Sequence, residues 1–418
     1  MVGDPKRVLQ FADVPVPEVS VVITTARNAD RLVQCLSAVH AEAETVPLEV
    51  IVVLNAAEPG HADALAAAVT GVRVVESAAS LGFAGGVNLG ARAALGRCIH
   101  VLHDDAVVEP GAIAALVGAL DDHPEAAGAG SLLLDARTGD VQSAGPILWR
   151  NAITEERWRG PAPPPSAFTA VHPVDYCSSA SLLVRADAWH AVGGCDEELH
   201  PGQYVDVDLA MRLRAAGHVT VLAPGSRVRH ARGGTMRLAL KRVAGRRNRE
   251  RFVGRWANDL LAQEPYADDD GALARAQCAT AARAAAVTAG PKASAPQDVP
   301  PEARAERERR ALLRDLAYKT ACQEELVRVS ARADELQTEI ERLHPELNRV
   351  HAAHAAEMAA RQRGEAQCDD LAQQVAAQRD ESAYLRQRAQ VLDAILAGRW
   401  WRLRTRLGSP LSRSRQRE

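Results

Sequence analysis

At 418 residues the chain is too long for one ordinary domain, and its formal net charge of −3 supplies no basic field of the kind that draws nucleic acid. Its seven cysteines are scattered without a C-x-x-C pair, which speaks for reduced thiols and against a disulfide-built scaffold. No apolar run is long enough to span a bilayer and the first residues lack a secretory core, so the expectation is a cytoplasmic protein.

Residues 1–18 read as an irregular arm closed by Pro15 and Pro17. Val19–Thr24 is a β-branched run that reads as a buried strand, and Thr25–Asn28 is a polar break. Ala29–His40 carries Leu32, Val33, Leu36 and Val39 at helical spacing. Leu48–Leu54 is a second strand ending at Asn55, His61–Val69 is helical, and Val72–Val75 is a third strand. Gly82-Phe-Ala-Gly-Gly86 reads as a turn into a helix over Val87–Leu95. It lacks the order of a dinucleotide fingerprint. Two readings of the turn stand: backbone N–H groups and Asn88 turned toward a ligand, or a plain helix entry. Cys98–Leu102 is a fourth strand. Strands alternating with helices across short connections predict an α/β fold, with a mostly parallel sheet, helices on both faces and right-handed crossovers.

The run Ile99-His-Val-Leu-His-Asp-Asp105 ends in two carboxylates. Ligands of open α/β sheets bind outside the carboxyl ends of the strands, and acids there suit a divalent cation holding a phosphate. A helix cap or solvated loop is the plain alternative. Ala126–Leu134 reads as another strand. Residues 136–175 are irregular and rich in Pro and Gly, either an acceptor-site wall or a surface excursion. Ser179–Val184 is strand-like, and Asp187–Val192 is a short helix stopped by Gly193-Gly194. Asp206 and Asp208 open a helix carrying Leu209, Leu213 and Ala216. They are either acids favoured by the helix dipole or the source of a carboxylate base aimed into the cleft. Val219–Ala223 is a last strand, followed by Val228–His230.

Residues 19 to about 235 resemble the family 2 glycosyltransferases of GT-A fold, in particular their rhamnosyltransferase-like branch. The matching pieces are Val19–Thr25, Glu49–Asn55, Ser80–Asn88, Leu102–Gly111, Val192–Glu197, Asp206–Arg212 and Arg229-His230. The resemblance implies a Rossmann-like GT-A domain that binds a nucleotide-diphosphate sugar donor and a divalent metal, Mg2+ or Mn2+. It puts the D-x-D motif on His103-Asp104-Asp105, with Asp105 and His230 as metal ligands and Asp206 as general base. It places Thr25, Arg27, Asn55, Asn88 and Asp104 toward the nucleotide sugar. The chain departs from the pattern at Leu54, where the family usually has an acid, at His103, and at Val205. The implied activity is metal-dependent, inverting transfer of a sugar to a surface polysaccharide or lipid-linked glycan acceptor. The competing class is a catalytically inactive scaffold acting through its C-terminal half, and Leu54 is the residue in its favour.

Arg237–Arg255 is dense in Arg and Lys, with Phe252 and Trp256 among its apolar positions. This basic amphipathic helix either meets diphosphate or anionic lipid or packs on the domain. The organisation expected is an arm at 1–18, a glycosyltransferase domain at 19–262, an Ala/Pro-rich linker at 263–302, a helical coiled-coil region at 303–397 and a basic tail at 398–418. Leu326, Val329, Ala333, Leu336, Ile340, Leu343, Leu347 and Val350 form an a/d seam that predicts a homo-oligomer, interrupted by Pro345. Leu371, Val375, Leu385, Leu392 and Leu396 suggest a second helical piece. In the tail, Trp400 and Trp401 among arginines fit either peripheral contact with the inner face of the plasma membrane or a protein-docking peptide.

Overall fold

The computed structural model describes residues 8–156, 158, 160–161, 170–231, 238–267, 269, 271–287, 301–356 and 363–395. The chain divides into two units, residues 1–236 with 244–315, and residues 237–243 with 316–418. The elements begin with β1 (Leu9–Gln10), β2 (Val19–Thr25), α1 (Ala29–Glu42), β3 (Leu48–Asn55), α2 (His61–Ala68), β4 (Val69–Thr70), β5 (Arg73–Ser77) and α3 (Gly82–Ala91). Next come β6 (Cys98–His103), β7 (Ala106–Val108), α4 (Ala112–Asp122), β8 (Ala126–Asp135), β9 (Val141–Ser143), β10 (Ile147–Leu148), β11 (Thr154–Glu155) and β12 (His172–Val174). Then follow β13 (Ser181–Arg185), α5 (Ala186–Val192), α6 (Val205–Ala215), β14 (Val219–His230), α7 (Leu238–Leu260), α8 (Ala272–Ala285), α9 (Pro301–Ala356) and α10 (Arg363–Ile395).

The main sheet has the order β12-β14-β8-β13-β6-β2-β3-β5, with β7 against β14 and β9 against β8. The run β6-β2-β3-β5 is parallel throughout, and β14 is parallel to β8. Only β12 and β13 in that path run against their neighbours, so the sheet is mostly parallel, as the alternation predicts. Both faces are covered, which is why its strands are continuous apolar runs. Val21, Ile23, Val50 and Val52 face Leu32, Leu36 and Leu116. Val22, Ile51 and Val53 face Ala84 and Val87 of α3, in the cluster that also holds Leu209 and Leu213.

Four expectations are corrected. The stretch Gly82–Gly86 is no turn but the first half of α3 itself. Its glycines let the helix lie close on the sheet: a Cβ at Gly86 would sit 2.6 Å from Thr24 Cγ2, and one at Gly90 2.5 Å from Val22 Cγ1. Residues 219–230 form one strand, whose register shifts between Ala223 and Arg227. The supposed linker contains α8, whose Ala272 and Ala276 pack on Ile147 and Trp149. Arg283 of α8 also reaches the buried Asp175 at 2.9 Å, beside Arg214 at 3.1 Å. Finally, α9 runs through Pro345 unbroken. Proline withholds the donor that the Glu341 carbonyl would take, and Glu341 is exposed, so water can supply it.

The basic segment resolves toward packing. Phe252 and Trp256 of α7 are buried against Leu148, Tyr176, Val207 and Met211. Three of its described guanidinium groups are used inside the protein: Arg255 pairs with Asp196 at 2.6 Å, Arg251 with Glu198 at 3.1 Å, and Arg249 donates to the Asn151 carbonyl. Arg237 lies outside the described residues, as does the tail with Trp400 and Trp401.

In the second unit Val329, Ala333 and Leu336 of α9 pack on Leu385 and Ala389 of α10, and Arg386 donates to Gln337 at 3.1 Å. The seam expected to join two copies is thus met within one chain over these positions. The side chains of Leu326, Val350 and Leu396 fall outside the described residues. No helix among the described residues is long and apolar enough to cross a membrane.

A buried polar ladder crosses four neighbouring strands. His100 Nε2 meets Ser181 Oγ at 2.9 Å, Ser181 Oγ meets Ser131 Oγ at 2.7 Å, and Ser131 Oγ meets Ser226 Oγ at 2.7 Å. Burial pushes the His100 imidazole down to about 3. The unfolded chain takes up that proton near pH 6.5 while the folded chain does not, so the ladder is fully stabilising above about pH 6.5 and loses strength as pH falls toward 3. At about 1.4 kcal/mol per pH unit, the loss between pH 7 and pH 5 is about 2 kcal/mol. His100→Phe is expected to remove that increment, read as urea midpoints at the two pH values. An unchanged increment would show that another group controls acid stability.

Candidate active site

The carboxyl ends of β2, β3 and β6 and the far end of β14 define the site. Register places Thr24 beside His103, and Thr25 beside Leu54. Past β6, Asp105 is buried and Asp104 half-buried. His230, ending β14, brings Nε2 to 3.1 Å from Asp105 Oδ1. His103 Nδ1 lies 3.3 Å from the same Nε2 and 3.9 Å from Asp105 Oδ1. These three side chains form a group able to hold a metal ion.

A residue the sequence reading left unnamed orients this group. Gln142 Nε2 donates to the His230 carbonyl at 3.2 Å, so its Oε1 is the atom 2.5 Å from His230 Nδ1. Nδ1 therefore carries the proton and donates it to Gln142, leaving Nε2 turned to Asp105. Asp105 Oδ1 and His230 Nε2 call for a positive charge between them. Burial works to raise the Asp105 carboxyl, but positive charge at His230, with His103 and Arg31 nearby, holds it below the usual range. Arg31 Nη1 is 3.9 Å from Asp105 Oδ2, another neighbour the motifs did not reveal. Burial and the Asp105 charge push the Asp104 carboxyl up to about 6, against a hydrogen bond from Thr25.

A divalent ion fits here. Three atoms at separations of 3.1, 3.3 and 3.9 Å lie on a circle of radius about 2 Å, the length of a bond from nitrogen or oxygen to a small divalent ion. The donor set, one carboxylate and two imidazoles, is one that divalent metals accept.

Asp206 stands in the first turn of α6, where the helix dipole favours an anion. The Val207 N–H donates to its Oδ1 at 3.0 Å and the Ser179 N–H to its Oδ2 at 3.4 Å. Burial raises its carboxyl, and these N–H groups only partly offset the rise. The segment that reaches Asp206 also meets the end of β6: one residue past Ser179, the Ala180 carbonyl accepts from the His103 N–H at 3.1 Å. The loop before α6 is pinned by Asn248 of α7, whose buried Nδ2 faces the carbonyls of Leu199, Gly202 and Gln203 at 2.8, 2.5 and 3.1 Å.

Asp208 has a different environment. It is buried and accepts from Arg212 Nε at 2.8 Å, Arg255 Nη1 at 3.0 Å and Trp256 Nε1 at 2.9 Å. Of the residues read toward the nucleotide, Thr25 is buried with its hydroxyl 3.1 Å from His61 Nε2, and Arg27 sits 3.7 Å from Glu58. Asn55 and Asn88 turn inward instead. Asn55 accepts from the Leu81 N–H and donates to the Gly82 carbonyl, both at 2.8 Å, fixing the start of α3. Asn88 accepts from the Cys195 N–H and donates to the Cys195 carbonyl, both at 2.8 Å. Leu54 is buried in the core.

A family model described as glycosyltransferase like family 2 matches residues 17–252, more than half of the chain. The chain belongs to that family. It is a glycosyltransferase on this ground, and the matched span contains every candidate site residue above. A curated relative, the N-acetylglucosaminyl-diphospho-decaprenol L-rhamnosyltransferase of Mycobacterium tuberculosis, is 29% identical over 238 residues, which is 51% of this chain and 75% of the relative. Among solved structures, GalNAc-T7 with UDP, GalNAc and Mn2+ aligns with a TM-score of 0.46 and 16% identity, over 60% of this chain and 50% of that one. The chain thus spans half the length of that structure. The mannosyltransferase PcManGT from Pyrobaculum calidifontis, in complex with GDP-Man and Mn2+, aligns with a TM-score of 0.40 and 18% identity, over 73% of this chain and 83% of that one.

Proposed function

We propose that this family 2 glycosyltransferase moves a sugar, with inversion, from a nucleotide-diphosphate donor to a lipid-linked glycan, at the cytoplasmic face of a membrane. What supports the chemistry is the Asp105–His230 pair past the end of β6, with buried Asp206 linked to that strand end through Ser179 and Ala180, whose N–H and carbonyl meet Asp206 and the His103 N–H respectively. In this reading Asp206 takes the proton of the attacking acceptor hydroxyl as the new bond forms at the anomeric carbon and the bond to the diphosphate breaks. Its burial suits it to the task, because a raised carboxyl holds a proton better. Asp105 and His230 hold the divalent ion, which when bound offsets the charge of the departing diphosphate. Thr25, Arg27 and Asp104 line the approach of the nucleotide, while Asn55 and Asn88 hold α3 and Cys195 in place. The acceptor class rests on the name of the rhamnosyltransferase relative.

Thermal denaturation with a panel of nucleoside diphosphates, with and without manganese, tests this. A ligand at a hundred times its Kd stabilises the folded state by about 2.7 kcal/mol. One nucleotide is expected to raise the melting temperature only when metal is present, and Asp105→Ala is expected to abolish the rise. Silence toward every nucleotide would favour the scaffold reading, for which buried Leu54 at a usually acidic position is the specific observation.

A further inference from the structure

We propose that His103 is a third protein ligand at the Asp105–His230 site, and that the resulting set of two imidazoles and one carboxylate holds a first-row transition ion by itself, in preference to magnesium. The inference deepens the metal reading above and rests on it. His103 stands where the resemblance puts the first acid of the D-x-D motif, so the chain has exchanged an oxygen donor for a nitrogen one.

The position of the ring is built. The His103 N–H donates to the Ala180 carbonyl at 3.1 Å, and its carbonyl accepts from Cys35 Sγ at 3.5 Å, so the main chain is held on both sides. The Phe83 ring meets the imidazole edge-on, with centroids 5.2 Å apart and planes at 73°. Nδ1 thereby completes the triangle with His230 Nε2 and Asp105 Oδ1 that encloses one ion position. The Gln142 bond fixes which nitrogen His230 offers.

Donor chemistry sets the preference. Magnesium takes oxygen and commonly relies on one or two carboxylates plus substrate phosphates, so a two-ligand protein site needs the nucleotide to complete it. Imidazole suits later ions, and three convergent protein donors supply half of an octahedron before any diphosphate arrives.

The test uses the metal-stripped full chain titrated with Mn2+ alone or Mg2+ alone, without nucleotide, following the paramagnetic resonance signal of free Mn2+ and measuring Mg2+ by competition. Wild type is expected to bind Mn2+ measurably tighter than Mg2+, although manganese stands lowest in the first-row affinity order. His103→Ala is expected to weaken Mn2+ by about 10–100-fold or more, since loss of a ligand costs at least what loss of an outer-shell partner does. His103→Asp, which restores an oxygen donor, is expected to bring the two ions to within a few-fold and gives a second reading if the alanine variant folds poorly. Asp105→Ala and His230→Ala should lose Mn2+ in any case. If they do while His103→Ala binds as wild type does, His103 is not a ligand and the two-ligand reading stands. If neither changes Mn2+ binding, the metal reading of the whole site falls.

Discussion

Asp206→Asn is expected to lower kcat by about 10²–10⁴-fold, the usual worth of a positioned general base. That is a rise of roughly 3–5 kcal/mol in the barrier. The carboxylate accepts two backbone N–H groups, from Val207 and Ser179, and an amide can satisfy one of them with its oxygen while turning its own donors on the other. Some stability is therefore lost with the charge, and Asp206→Ala is the necessary companion, since it removes both the base and the mismatched donors. Both variants should keep Mn2+ binding, because Asp206 is not among the proposed metal donors His103, Asp105 and His230. The acidic limb of kcat/KM in wild type should lie above the ordinary carboxylate value, because burial raises Asp206. Activity needs the ionised form, so it falls as pH drops through that raised value. Turnover unchanged in both variants, with folding and metal binding intact, would move the base elsewhere.

How far the chain could be read in advance differs from place to place for physical reasons. The strands β2, β3, β6 and β13 were legible because strands buried on both faces must be continuous apolar runs. The second half of α3 was legible but its first half was not, because glycine ordinarily marks a turn, whereas here its missing Cβ makes room for Thr24 and Val22. The helix α8 was hidden by Ala and Pro composition, and its anchor, Arg283 to Asp175, joins positions 108 residues apart. At the site, Asp105, His230 and Asp206 emerged from motif resemblance, and the structure sets His230 Nε2 3.1 Å from Asp105 Oδ1 and ties Asp206 to the Ser179 N–H. His103 was visible only as a departure from a motif. Its meaning needs the β14 end folded against it, and Gln142 likewise acts on a residue 88 positions away. A polar residue at a strand end faces either a ligand or the next helix start. Asn55 took the second option and Thr25 sets its hydroxyl 3.1 Å from His61, and local sequence contains nothing that decides between such outcomes.

Two positions beyond the base, Asp208→Asn is expected to cost stability rather than chemistry, by about 3–5 kcal/mol, the penalty for leaving one side of a buried ion pair unmatched. Asp208 is the shared acceptor for Arg212 on its own helix and for Arg255 and Trp256 on α7. Asparagine keeps the shape but places donors against donors. Arg255 retains Asp196 at 2.6 Å, which argues for the lower part of that range. Even so, the loss is a large fraction of the 5–15 kcal/mol that holds a typical domain together. Urea unfolding is the measurement: the midpoint should fall with little change in slope. Well below that midpoint kcat should stay within a few-fold of wild type, because Asn248, earlier in α7, still holds the loop that leads into Asp206. Trp256→Phe, which removes one donor and leaves the charge paired, should cost only about 1 kcal/mol. If Asp208→Asn abolished turnover without lowering the midpoint, the roles of the two acids on α6 would have to be exchanged.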